Sequence, residues 1–188
     1  MRGALLPLLL IAASPAMAAS GNSSAATGMA SATVIQPITV TTTADLDFGT
    51  VASDTTGLVD ILPATSPALY SGGAHDACNA DSTCHATHAA SFTVAGEAGR
   101  SYTITAPQSV SITPHPVAGS AAGSDLLPPS LLVDAITIRT ASRPDSGANG
   151  QLDGTGQDHF EIGGRLIVPA ALSPARIVTQ ITVIVAYA

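Results

Sequence analysis

The chain has no lysine and no tryptophan, and all six of its cationic residues are arginine. Against thirteen Asp and Glu this gives a formal net charge of −7. Phosphate recognition needs clustered Lys and Arg, so this inventory argues against nucleic acid and anionic lipid as partners. Only three Phe and three Tyr supply aromatic surface. The aromatic platforms expected at a sugar-cleaving site are therefore scarce, and Glu97 and Glu161 are the only glutamates. There is no Gly-x-Ser-x-Gly, and no Gly-rich loop stands ahead of a helical stretch. No enzymatic reaction is expected, and no cofactor. Charged residues make up 10% and hydrophobic residues 46% of the chain, which sets it far from disordered compositions.

Long apolar runs are confined to the N-terminus. Arg2, an apolar stretch over residues 5–13 and Ala16, Met17 and Ala18 form the three parts of a secretory signal. Residues 1–18 are expected to be removed, and Arg2 with them, which takes the formal charge to −8. Nothing later reaches the ~20 apolar residues of a spanning helix, so membrane insertion is not expected. Export places the protein in the periplasm, on the cell surface or outside a Gram-negative cell. Residues 19–31 are small, polar and aperiodic and read as a flexible leader; residues 32–188 read as one domain.

That domain alternates. Val34, Ile38 and Val40 share one face of a strand over 32–42, with Pro37 on the other face. Short strands follow over 46–51 and 57–62. Residues 91–96 and 101–105 read as a hairpin around Gly96 and Gly99, and 110–112 and 131–140 as further strands. Residues 160–168 read as a strand bulged at Gly163 and Gly164. A last strand over 177–187 places Ile181, Val183, Val185 and Tyr187 on one face, with nothing after it to cover its edge. About nine short strands without a helical stripe predict an all-β fold, a two-sheet antiparallel Greek-key (immunoglobulin-like) sandwich open to completion by strand donation. Residues 63–88 and 142–158 read as long loops.

The first loop holds the densest polar cluster. Cys78 and Cys84 are the only cysteines, and in an exported chain they are expected to form a disulfide across a short loop. With the thiols so used, His75, His85 and His88 remain as weak metal candidates, and no metal is expected.

Several stretches together carry a resemblance. Leu46, Asp47, Phe48 and Gly49 follow the first strand. Phe92, Val94, Gly96, Gly99, Tyr102 and Ile104 come next, then Asp153, Gly154 and Gly156 with Phe160, Gly163, Gly164 and Arg165, and finally the alternating finish to Tyr187. This order resembles a family of short secreted proteobacterial proteins classed as a domain of unknown function. More distantly it is similar to spore-coat-U-type subunits of archaic chaperone–usher pili. That resemblance implies incomplete sandwiches completed by a neighbour's strand, with identical or related subunits and a periplasmic chaperone as partners. Val34, Ile38 and Val40 would then be a donor face, and Ile181, Val183, Val185 and Tyr187 would line an acceptor groove. The bland alternative is that both runs are ordinary strands of a self-complete monomer, a periplasmic or extracellular binding module using the 63–88 and 142–158 loops.

Overall fold

The computed structural model describes residues 27–64, 67–78, 86–116 and 130–188. The expected signal segment, most of the leader, Cys84 and His85 lie outside the described residues. Residues 27–34 belong to a separate unit, are exposed and carry no regular structure.

From residue 35 onward the described chain is all-β. The strands are β1 (Thr39–Ala44), β2 (Leu46–Ile61), β3 (Leu69–Asp76), β4 (Ala90–Ala95), β5 (Ser101–Thr105), β6 (Val110–Ile112), β7 (His115–Pro116), β8 (Leu131–Thr140), β9 (Asn149–Gln151), β10 (Gln157–Val168), β11 (Leu172–Thr179) and β12 (Ile184–Tyr187). They form two antiparallel sheets. The large sheet runs β1-β4-β10-β2-β11-β7, with β3 paired to β2, β8 to β10 and β6 to β8. The small sheet runs β12-β5-β9.

Two long strands organise the large sheet. β10 pairs β4 through Gln157–Ile162 in one half and β2 through Gly164–Val168 in the other, while β8 follows its opposite side. Its register with β8 shifts between Gly163 and Arg165, at the expected bulge. A side chain at Gly163 would meet the Ile61 carbonyl at 2.1 Å, so only glycine allows the strands this close. β2 bends similarly, with its register to β3 slipping between Ser53 and Gly57.

The inward faces alternate as strand geometry requires. Leu46, Phe48, Val51, Val59, Phe92, Val94, Val133, Phe160, Ile162, Leu166 and Ile177 are each no more than 2% exposed. Phe92 and Phe160 are register partners whose rings stack at 4.8 Å. Asp47 is also buried, and each of its polar groups is used. Its amide and carbonyl exchange hydrogen bonds with His88, its Oδ1 accepts from Gly49 N at 2.7 Å, and its Oδ2 meets Arg176 Nη2 at 3.2 Å. The Asp47-Phe48-Gly49 sequence thus turns one strand and ties it to both β11 and the segment before β4.

Several strand boundaries differ from expectation. The first strand begins at Thr39, not at 32. The pieces 46–51 and 57–62 are one bent strand, β2. β3 lies inside the expected 63–88 loop, where Gly72 and Gly73 hide any alternation; a side chain at Gly73 would meet Thr55 at 2.3 Å. The 91–96 and 101–105 strands are not a hairpin ladder, since β4 and β5 lie in different sheets and residues 96–100 carry the chain between them. The final run is likewise two strands, β11 in the large sheet and β12 in the small one.

Hydrogen bonds join the sheets through the interior, among them Thr140 Oγ1 on β8 to the Asn149 carbonyl on β9 at 3.0 Å. Tyr102 on β5 is fully buried, and its hydroxyl donates to Asp158 Oδ2 on β10 at 2.8 Å. Burial first, then that bond and the Asp158 charge, raises the phenol far above its ordinary pKa, so it stays a donor at any biological pH. Tyr102→Phe is expected to cost about 1.5–3 kcal/mol, the range for a hydrogen bond to a charged partner, read as a lower urea midpoint at unchanged slope. A loss under about 0.5 kcal/mol would show the tie to be dispensable.

Candidate functional site

β1 pairs only β4, and β12 pairs only β5, among the described residues. Each is therefore an edge strand with one unpaired side. The two edges are close together, because the Tyr187 hydroxyl on β12 donates to the Gln36 carbonyl just ahead of β1 at 2.7 Å. The same oxygen accepts from Glu97 N at 2.7 Å, and the Glu97 carboxylate accepts from Gln36 N at 3.1 Å. Arg100 lies over the Tyr187 ring, 5.4 Å from its centroid. A side chain at position 96 would overlap the Tyr187 hydroxyl at 2.3 Å, which explains Gly96.

Between β1 and the segment that leads into β12 is a cavity of about 350 Å³ lined by Val40, Thr42, Asp45, Ala90, Phe92 and residues 180–183. Register explains why it is there. Val40 stands opposite Val94, and Thr42 opposite Phe92, so both point to the core side of the sheet. Val94 and Phe92 are buried, yet Val40 is 38% exposed and Thr42 is exposed. Nothing in the described chain covers the inner face of β1. Across the cavity, residues 180–183 cross from β11 to β12 without a ladder partner, and Ile181 and Val183 pack toward the core.

Burial alternates along the run expected to form an acceptor face. Ile181 is buried, Val183, Val185 and Tyr187 are half-buried against the core, and Thr182, Ile184 and Ala186 between them are exposed. Ile181 and Val183 line the cavity; Val185 and Tyr187 lie further along β12. The expected donor face divides. Val34 is exposed and outside any strand, Ile38 packs against the core of its own domain, and Val40 belongs to β1 and lines the cavity with the acceptor residues. Residues 39–42 are thus the domain's own first strand, paired to β4, rather than a free arm. The position of Val40 could not be read from alternation alone, since alternation does not say which sheet supplies the partner.

The polar loop is less gathered. Cys78 follows β3, with its amide donating to Asp76 Oδ1 at 2.9 Å, and its expected partner Cys84 lies outside the described residues. His75 Nδ1 is 3.2 Å from the Gly73 carbonyl, and His88 Nδ1 is 3.2 Å from that of Ala89. No group of three His, Cys, Asp or Glu able to hold a metal occurs among the described residues, and His85 is not one of them.

These features define an all-β, two-sheet antiparallel sandwich with an uncovered slot between the edges of its two sheets. The chain belongs to the family described as Domain of unknown function (DUF4402), whose model matches residues 38–187. The match begins one residue before β1 and ends with β12, so the slot and Tyr187 lie within the family's extent, while Gln36 falls just ahead of it. No curated protein and no solved structure matches the chain.

The latch makes a local prediction. Tyr187→Phe removes the donor to Gln36 and the acceptor of Glu97 N, and is expected to speed hydrogen exchange at Glu97 by about tenfold or more, at a stability cost of about 1 kcal/mol. Unchanged exchange at Glu97 would mean that the contact does not hold in solution.

Proposed function

We propose that this protein is an exported, non-enzymatic structural or adhesive surface subunit, pilin-like, that assembles with identical or related subunits by β-strand addition. The observation that carries the reading is the slot: core-facing Val40, Thr42, Ile181 and Val183 around about 350 Å³, with the edge strand β1 on one side and residues 180–183, which have no ladder partner and lead into β12, on the other. An extended segment laid there would gain main-chain hydrogen bonds from an edge and place alternate side chains against Phe92, Ile181 and Val183. The distant resemblance of the sequence to spore-coat-U-type subunits of archaic chaperone–usher pili points the same way, and in this reading a periplasmic chaperone shields the slot before assembly.

The occupant we assign is the segment ahead of β1 of a second copy. Within the described residues, 27–34 are exposed and outside the sheets, with Met29 and Val34 the large apolar side chains among them. Export rests on the N-terminal signal, and the Cys78–Cys84 disulfide would form in the same oxidising compartment. The rival reading, a self-complete monomer that binds through its loops, draws on the pairing of β1 with its own β4 and on the Tyr187 latch, both of which close the domain without a partner.

Size-exclusion chromatography with light scattering on residues 19–188, with SDS gels of unheated and boiled samples, separates the two. Strand addition predicts heat-sensitive higher-order species that disappear in Val40→Asp, Val183→Asp and a deletion of residues 27–34, each still melting cooperatively. A sharp monomer at every concentration, unaffected by these changes, supports the self-complete domain instead.

A further inference from the structure

The loop between β8 and β10 forms a second cavity, away from the slot. It measures about 310 Å³ and is lined by Thr93, Ser142, Gln151, Asp153, Gln157, Asp158 and His159, with no apolar side chain among them. Its walls are held by a dense network. Asp158 Oδ2 accepts from both Tyr102 and Ser142, and Asp158 Oδ1 accepts from the His159 amide at 2.8 Å. Thr140 Oγ1 bonds the Arg143 and Asn149 carbonyls, each at 3.0 Å. Arg143 donates to Gln151 Oε1 at 2.8 Å, and Gln151 Nε2 donates to the Gly99 carbonyl at 3.0 Å. Asp153 Oδ1 accepts from Thr155 N, Thr155 Oγ1 and Gln157 N. A loop tied at this many points is preorganised, which lowers the entropy lost on binding.

What the network leaves over is informative. Thr93 hydroxyl, Gln157 carboxamide, His159 ring and Asp153 Oδ2 have no hydrogen-bond partner among the described residues, yet all line the cavity. Thr93 and His159 are neighbours on adjacent strands, since they are register partners of β4 and β10. These four groups together offer both donors and acceptors. Hydrogen bonds from the 155–157 turn hold the Asp153 carboxyl below its ordinary pKa, so it is ionised at neutral pH. Two carboxylates and no arginine at the cavity disfavour an anion. A hydrocarbon ligand would leave the hydrogen-bonding groups of these side chains unpaired. The described residues gather no metal-ligand set.

We infer that this cavity is a binding subsite for a neutral polyhydroxylated ligand, one pyranose unit of a glycan. Adjacent sugar hydroxyls each need a donor and an acceptor, which is what Thr93, Gln157, His159 and Asp153 provide on a rigid frame. No aromatic platform stacks on the ring, so the single-unit affinity is weak, in the millimolar range, and becomes useful through repetition over many subunits. The site does not depend on strand addition and would serve a monomer equally.

Saturation-transfer difference NMR on residues 19–188 with glucose, galactose, mannose and N-acetylglucosamine, each at millimolar concentration, tests this. Transfer to the ring protons of at least one sugar is expected, weakened roughly tenfold by Gln157→Ala and by His159→Ala, about one neutral hydrogen bond each. Both side chains are exposed and free of partners, and Thr93→Val provides a third variant should either one misfold. Silence with all four sugars, transfer unchanged in the variants, or a response confined to Ca²⁺ in a parallel titration would each overturn the assignment.

Discussion

The hydroxyl of Tyr102 reaches through the sandwich to the carboxylate of Asp158, and much else in this structure follows from that reach. It anchors the small sheet to the large one from β5, the strand between β9 and β12, so both are positioned relative to β10. It also fixes Gly150, because any side chain there would meet the Tyr102 ring at 2.3 Å. The same carboxylate holds Ser142, and through it the loop before β9. One buried acceptor thus ties the sheets together, beside the Thr140–Asn149 bond, and holds a wall of the polar cavity.

With the sheets held at their middle, their margins need not be alike. Along one margin the chain passes through residues 180–183 without ladder pairing, and the inner face of β1 stays uncovered. Unpaired edges are a hazard that β proteins usually blunt with charge, proline or bulges. Here β1 reads TVTTTA, without a charge, and its register with β4 is continuous from Thr39 to Thr42. Its blunting devices sit at the ends, Pro37 before the strand and a bulge between Thr42 and Ala44, and the slot beside it mixes Val40, Phe92, Ile181 and Val183 with Thr42, Asp45, Gln180 and Thr182. The Tyr187–Gln36–Glu97 latch closes one end of that margin and leaves the cavity beyond it open.

Much of this was legible in the residues. The alternation from Ile181 to Tyr187 matches the observed burial one for one, because side-chain direction along an extended chain is local. The Gly163 and Gly164 bulge was legible for the same reason. What could not be read was partnership. β4 and β5 look like a hairpin, and β11 and β12 like one strand, because local pattern does not distinguish a turn within a sheet from a passage between sheets. β3 was missed because Gly72 and Gly73 sit where β2 crosses within van der Waals distance, which removes the side chains that alternation depends on. Val40 carried the right apolar character but belongs to β1 and lines the slot. The polar cavity left only an acidic Gly-rich trace in the sequence, since Thr93 joins it from a strand some fifty residues away.

The central claim is that the slot between β1 and β12 receives a strand. Hydrogen exchange of the mature chain, followed by mass spectrometry across a concentration series, addresses it most directly. The account predicts that amides of residues 181–187 not already bonded to β5 gain protection as concentration rises, together with those along the free side of β1, while the β10 core stays unchanged. Exchange along both edges that is fast and independent of concentration would contradict it.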